Sequence, residues 1–443
     1  MFKRLTLLSL LLLPVWAQAA TTEFSLNNGL KVVVREDHRS PVIVTQVWYK
    51  VGSSYEQAGY TGLSHALEHM MFKGTYKVPA GEFSRLVAYL GGEDNAFTTD
   101  DYTAYYQLYS NNRLPLALEL EADRMVNLQL KEEDFKQEIR VVMEERRQRT
   151  DDNPQGLALE RFQSLAMLTT PSRNPTIGWM NDLNNLSVND LKQWYQQWYA
   201  PNNATLVVVG DVKPEQVKQL AEQYFANIPA QTIRKAPPAK ELRHIGERTM
   251  TLELPAKVAN LYIGFNVPSL TSAEKPKEVY ALRMLLGVLD LGLSARLETR
   301  LVREQRLLTA VSSGYNPFSR GDTLLTITAI PAEGYSLEQA KAAILDEINK
   351  LKTDTISDEE LKRVYAAILA DDVFGKDSIS DQANEIGVLE SLDLGWQTAD
   401  DVPKQLQSIT KDDIRQAAQT WLTAPNMTTL FLKPTQLNVG DAQ

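Results

Sequence analysis

Two histidines four residues apart with a glutamate between them, His65-Ala66-Leu67-Glu68-His69, are the residues whose types and spacing could do chemistry. On a helix, positions four apart lie one above the other on the same face, so both imidazoles can grip one metal ion. Glu68, three residues after His65, leans over that face close to where a metal-held water would sit. Zinc lowers the pKa of such a water toward about 7, and a neighbouring carboxylate can take its proton. The nucleophile so formed attacks a peptide carbonyl, and Glu68 passes the proton to the leaving amine, acting as general base and then general acid. The chain holds only four histidines and no cysteine. Half of the histidines therefore fall within these five residues, and further ligands must be His, Asp or Glu. A catalytic zinc site takes a third protein ligand and keeps one position open for water. Glu138, Glu144 and Glu145 crowd one charged helical stretch, and their spacing alone does not choose among them.

Elements must hold these groups in place. Leu63, Leu67, Met70 and Met71 give the histidine segment an apolar face, with Gly74 as a stop. Lys31–Val34 and Val42–Tyr49 read as strands; Leu114–Met125, Phe135–Gln148, Leu337–Leu351 and Ser357–Asp371 read as amphipathic helices. Several strands before several helices argue for an α+β fold. The pattern is also written twice. Leu186 to Trp198, then Ala200-Pro201-Asn202 and the strand-like Ala204–Val209, are echoed by Ile409 to Trp421, Ala424-Pro425-Asn426 and Thr428–Leu432. Gly62–His69 is echoed by Gly292–Thr299, where both histidines are gone, which points to one metal-holding half and one supporting half. The seam is expected in the Pro-rich stretch from Ile228 to Ala239, as an exposed linker.

The 443 residues, 43% hydrophobic and 23% charged, are ample for two packed domains. Lys3 and Arg4, the apolar run Leu5–Trp16 and the small residues of Ala17-Gln18-Ala19 have the form of a secretory signal, too short to span a bilayer. Export to the periplasm, without stable membrane insertion after signal removal, is the expectation. A formal charge of -10 with no basic run argues against nucleic acid as a partner.

The His-x-x-Glu-His order resembles the inverted zinc motif of the pitrilysin, insulinase and mitochondrial processing peptidase family. Gly62–Thr75, Leu90–Thr98, Trp198–Asn203 and Val209–Val212 resemble further motifs of that family, and the likeness runs over the whole mature chain. The resemblance implies two homologous domains, each a mostly antiparallel sheet packed with helices, facing each other across a cleft. Their expected extents are residues 20–232, holding one Zn2+ per chain, and residues 233–443, holding none, after a signal peptide over residues 1–19. It implies Glu145, 76 positions after His69, as third ligand, and Glu138, seven before it, as a group that orients the site, with Glu144 as the alternative ligand. It also implies that a peptide substrate adds as a strand beside Asn95-Ala96-Phe97-Thr98-Thr99. Family members use an arginine and a tyrosine from the second domain as well. Arg303 matches the arginine, whereas Thr309 or Ala310 stands where the tyrosine belongs, and Tyr315 lies several residues too far. That departure suits the zinc-bearing subunit of a pair, with a companion subunit supplying the missing groups, although a homodimer also fits. The expected activity is zinc-dependent hydrolysis of peptides or unfolded segments; the alternative is a catalytically weak peptide-binding or assembly subunit.

Overall fold

A computed structural model describes residues 20–243, 245–354 and 356–435. The expected signal peptide lies outside the described residues. Among those residues, no helix is long and apolar enough to cross a membrane.

In the first half, β1 (Thr21–Ser25), β2 (Lys31–Glu36), β3 (Val42–Tyr49), β4 (Glu93–Thr98), β5 (Thr103–Ser110) and β6 (Ala204–Gly210) form one sheet in the order β1-β2-β6-β3-β5-β4. Only β2 and β6 run parallel. β6 is buried along its whole length, as a central strand covered on both faces must be, and its Leu-Val-Val-Val run answers that need. The helices are α1 (Leu63–Met70), α2 (Glu82–Tyr89), α3 (Leu114–Asn127), α4 (Glu132–Arg146), α5 (Pro154–Ala166), α6 (Met180–Leu183), α7 (Val188–Trp198) and α8 (Pro214–Phe225). Leu67, Met70, Leu118, Val142, Leu191 and Phe225 carry α1, α3, α4, α7 and α8 into one core on the inner sheet face. The helix expected to run to Gln148 ends at Arg146 and continues as a π-helical turn, Arg147–Asp151.

The second half repeats this plan. β7 (Arg248–Leu254), β8 (Asn260–Val267), β9 (Leu308–Tyr315), β10 (Thr323–Pro331) and β11 (Met427–Pro434) form a sheet in the order β7-β11-β8-β10-β9, again with one parallel pair, β7 and β11. Its helices are α9 (Pro276–Asp290), α10 (Leu337–Thr353), α11 (Asp358–Gly375), α12 (Ile379–Ser391), α13 (Thr398–Gln407) and α14 (Lys411–Trp421), with a π-helical turn over Glu298–Glu304. The repeated helix ends are physical equivalents. Ser187 with Asp190, and Thr410 with Asp413, form the same reciprocal cap at the starts of α7 and α14. Their register differs by one residue from the shared Ala-Pro-Asn letters. The buried asparagine that donates to the tryptophan carbonyl is Asn203 in one half and Asn426 in the other, while Asn202 instead reaches Gln231.

The other echo needs correcting. α1 and α9 are each the first long helix after the equivalent strands β3 and β8, and each packs on the equivalent helix, α4 or α11. The counterpart of the histidine helix is thus α9, which has no histidine, and Gly292–Thr299 lies in the segment that precedes edge strand β9. The letters match without the places matching: Leu63 and Leu67 are both buried in the core, whereas Leu293 is exposed and only Leu297 is buried. Arg296 in that segment forms a two-pronged bond to Glu360 at the start of α11, at 2.8 and 3.0 Å. The guanidinium holds the Glu360 carboxyl down at about 2. A depressed carboxylate stabilises the fold above its unfolded value, near 4.5, and that stability drains away as pH falls toward 2. Glu360→Gln should therefore lower stability by on the order of 2 kcal/mol at pH 7, allowing for partial exposure, with the gap closing in urea titrations taken toward pH 2.

The halves are tied by exchange. α5, from the first half, lays Ala158, Phe162 and Ala166 on the outer face of the second sheet, against Tyr262, Leu324 and Leu430. α12, from the second half, lays Ala383 and Ile386 on the outer face of the first, against Val33, Val44, Trp48 and Val207. Both seams are close approaches at glycine: a Cβ on Gly264 would come within 2.7 Å of the Phe162 ring, and one on Gly387 within 1.9 Å of Trp48. The linker is exposed as expected from 229 to 238, save for half-buried Ile233; beyond it Ala239 pairs with Gly321, and buried Glu241 accepts from the Leu168 and Thr169 amides.

Candidate metal centre

α1 opens at Gly62, whose backbone takes the left-handed φ of 90° that glycine tolerates. Its first amides are not orphaned: Gly62 and Ser64 N–H donate to the two oxygens of Glu56, both at 2.7 Å. Leu63, Ala66, Leu67 and Met70 face the core. That leaves His65, Glu68 and His69 on the side turned toward α4 and the sheet edge. The expected stop at Gly74 comes later than the helix end, for α1 closes at Met70 and Gly74 turns the chain against Val78–Ala80.

Across from α1, Glu145 lies in the last turn of α4. Its Oε2 is 3.7 Å from His65 Nε2 and 3.4 Å from His69 Nε2, and the two rings stand 4.8 Å apart. One ligand atom from each of the three falls within 4.8 Å of the others. Separations of 3.4 and 3.7 Å are long for hydrogen bonds. They match the edge of a tetrahedron with about 2.0–2.1 Å metal–ligand bonds, roughly 3.3 Å. Burial pushes the His65 imidazole down to about 3, so it is neutral and free to ligate. Burial would also lower His69, but the carboxylates of Glu138, Glu68 and Glu145 outweigh it and raise the ring. Carboxylate charge converging on two imidazoles suits a divalent cation, and the donors present fit zinc.

Glu138 lies about two helical turns before Glu145 on the same helix. Its Oε2 stands 3.7 Å from His69 Nδ1, the nitrogen turned away from the cluster, and its Oε1 accepts from Lys73 Nζ at 2.9 Å. Glu144 faces solvent and pairs with Arg147 at 3.0 Å, so the structure does not bring it to the cluster. Glu68 has one oxygen held by the Thr98 hydroxyl at the end of β4. Burial raises its carboxyl, with the Thr98 bond and His69 opposing.

β4 is the sheet edge expected beside the site, and it carries Asn95, Ala96 and Phe97. Asn95 is exposed, whereas the Phe97 ring turns inward, edge-on to Trp48 at 5.4 Å, so only its backbone is available at the edge. Arg303 is not brought to the cluster. It bonds to Leu293 O and Thr299, and Tyr315 is likewise held in its own half by a 2.6 Å bond to Pro268 O. Sequence reasoning missed Lys73 and Arg149, the latter pairing with the outer oxygen of Glu145 at 2.8 Å. Both sit four residues beyond the groups they touch or flank, His69 and Glu145, a spacing that could have found them.

Comparison with known proteins places this architecture in one class, that of the metallopeptidases. Residues 31–178 match the model described as Insulinase (Peptidase family M16), and residues 185–368 match the one described as Peptidase M16 inactive domain. A zinc protease, PqqE, from Helicobacter pylori is 34% identical over 93% of this chain and 92% of its own. An uncharacterized zinc protease from Streptomyces coelicolor is 25% identical over 89% of this chain and 86% of its own. The crystal structure of a protease from Helicobacter pylori superposes with a TM-score of 0.87 at 32% identity, covering 94% of this chain and all of that one. The chain belongs to peptidase family M16, the insulinase family.

Proposed function

We propose that the chain is an exported zinc endopeptidase that hydrolyses peptides or unfolded segments, with one Zn2+ held by His65, His69 and Glu145. The observation that carries this reading is the convergence of those three side chains, at tetrahedral spacing, beside Glu68 and a free sheet edge. When bound there, zinc supplies a Lewis acid that brings the pKa of a water toward about 7. The protein does the rest. Thr98 fixes one oxygen of Glu68, leaving the other to take a proton from the attacking water and to return it to the leaving amine nitrogen. Glu138, held by Lys73, orients His69 through its outer nitrogen. A peptide that pairs with the backbone of Asn95–Phe97 is read mainly through its main chain, which suits many sequences.

Removing the metal tests the reading. Dialysis against a chelator should abolish peptidase activity, and stoichiometric zinc should restore it. Zinc at 100 to 1,000 times its Kd should also stabilise the fold by about 3–4 kcal/mol in denaturant titrations. A chelated protein that cleaves at the parent rate would rule out a catalytic metal.

The placement of Arg303 supports a further part of the proposal. Its partners all belong to the second half of its own chain, and no tyrosine stands at Thr309 or Ala310. We infer that a second subunit, either a companion family member or another copy, completes the substrate clamp. Full activity from a strictly monomeric preparation would contradict this.

A further inference from the structure

The third metal-ligand position has a support that none of the site residues supplies. Successive helical residues point about 100° apart, so Arg146 faces away from the cluster that Glu145 enters. Its side chain is only 3% exposed and that of its partner, Glu160 on α5, 5%. Arg146 Nη1 donates to Glu160 Oε2 at 2.7 Å and to the carbonyl of Gly178 at 2.9 Å, and Nη2 donates to Glu160 Oε1 at 3.2 Å. Asp151, at the end of the π-helical turn, lies 3.3 Å from the same guanidinium.

Each contact leads back to the metal centre. Gly178 is pressed against the start of the histidine helix: a Cβ there would sit 2.5 Å from Thr61 O and 2.7 Å from Gly62 Cα. The same loop is clamped by Trp179 N–H donating to Thr61 Oγ1 at 2.9 Å and by the Thr61 hydroxyl donating to Asp182 at 2.6 Å. Arg146 thus joins the end of α4, which carries Glu145, to the beginning of α1, which carries His65 and His69. α5 supplies the third anchor. At its first turn Gly156 backs onto the π-helical turn so closely that a Cβ would meet Arg149 O at 2.2 Å, and Arg149 is the residue paired with Glu145. The opposite face of α5 rests on the second sheet through Phe162 and Gly264.

We propose that α5 is a brace between the halves that sets the metal geometry, and that Arg146 and Glu160 are positioning residues for Glu145 relative to His65 and His69. The proposal rests on the zinc reading above. It gives the half without a metal a task at the centre: the second sheet backs the helix that holds the third ligand's helix in register. A bidentate, buried guanidinium–carboxylate pair suits this role because its geometry is fixed in both distance and plane.

The test is zinc affinity of the purified full-length protein, by competition with a chromophoric chelator, together with the visible spectrum of the cobalt-substituted form. Glu160→Gln keeps the shape and removes the charge. Arg146→Met with Glu160→Met replaces the buried pair by apolar groups, so that neither charge is left stranded. In both, the Kd for zinc should rise about 10- to 100-fold, with a changed cobalt spectrum and a cooperative unfolding transition retained. A pair that serves the fold alone would lower the unfolding midpoint and leave the zinc Kd within about twofold of the parent, which would overturn the proposal. If the parent protein itself takes up no zinc, the reading of the centre fails and this inference fails with it.

Discussion

Glu68→Gln is expected to bind zinc as the parent does and to lose turnover by about 10³-fold, within the 10²- to 10⁴-fold range of general acid–base groups. The amide keeps the size of the carboxyl and still accepts from Thr98, so α1 and its histidines stay in place. What it cannot do is take a proton. Because Glu68 is not among the three residues that converge on the ion position, metal content should separate the two roles cleanly. The measurement is zinc stoichiometry beside steady-state hydrolysis of an unstructured peptide. Parental rates from the zinc-loaded variant would remove Glu68 from the mechanism.

The second large effect concerns the seam between the halves. Gly387→Ala should cost about 3 kcal/mol, at the upper end of overpacking penalties, because nothing there can yield. The added methyl would lie 1.9 Å from Trp48 Cε2 and 2.2 Å from Nε1. Trp48 is fully buried, its Nε1 donates to Gln46 at 2.7 Å, and Gln46 in turn donates to Asn384 on α12 at 2.9 Å. Moving the ring breaks a buried network; moving the helix lifts Ala383 and Ile386 off the sheet. Gly375→Ala is the control, since a Cβ there meets nothing within 4 Å. Chemical denaturation should show a large shift for the first and almost none for the second. Equal midpoints would mean that α12 has freedom to slide on the sheet.

Much of the site was legible because it is local. His65, Glu68 and His69 owe their shared face to helical geometry, which five residues suffice to declare. Glu145 was different: its helix could be read, but Glu138, Glu144 and Glu145 looked alike until family likeness singled one out. The structure separates them by facing. Glu144 points to solvent and Arg147, Glu138 to the rear of His69, and Glu145 between the two rings. The internal repeat was legible at the α7 and α14 ends, where caps and buried tryptophans recur. It misled at Gly292–Thr299, where a shared run of letters begins in a turn and not in a helix and does not fix the segment's place in the fold.

By itself, the sequence put His65, Glu68 and His69 on one face of a short helix and declared the matching ends of α7 and α14. These follow from periodicity and residue chemistry within one element. Only the tertiary structure decided that α5 and α12 cross over to cover each other's sheets, that Thr98 holds Glu68, and that Arg146, next to Glu145, pairs with Glu160 on α5. Those contacts join segments far apart in the chain, and their geometry is set by how closely a neighbouring backbone approaches Gly62 and Gly156 and an aromatic ring approaches Gly264 and Gly387. Close approach is a property of packed elements, and no single stretch of letters encodes it.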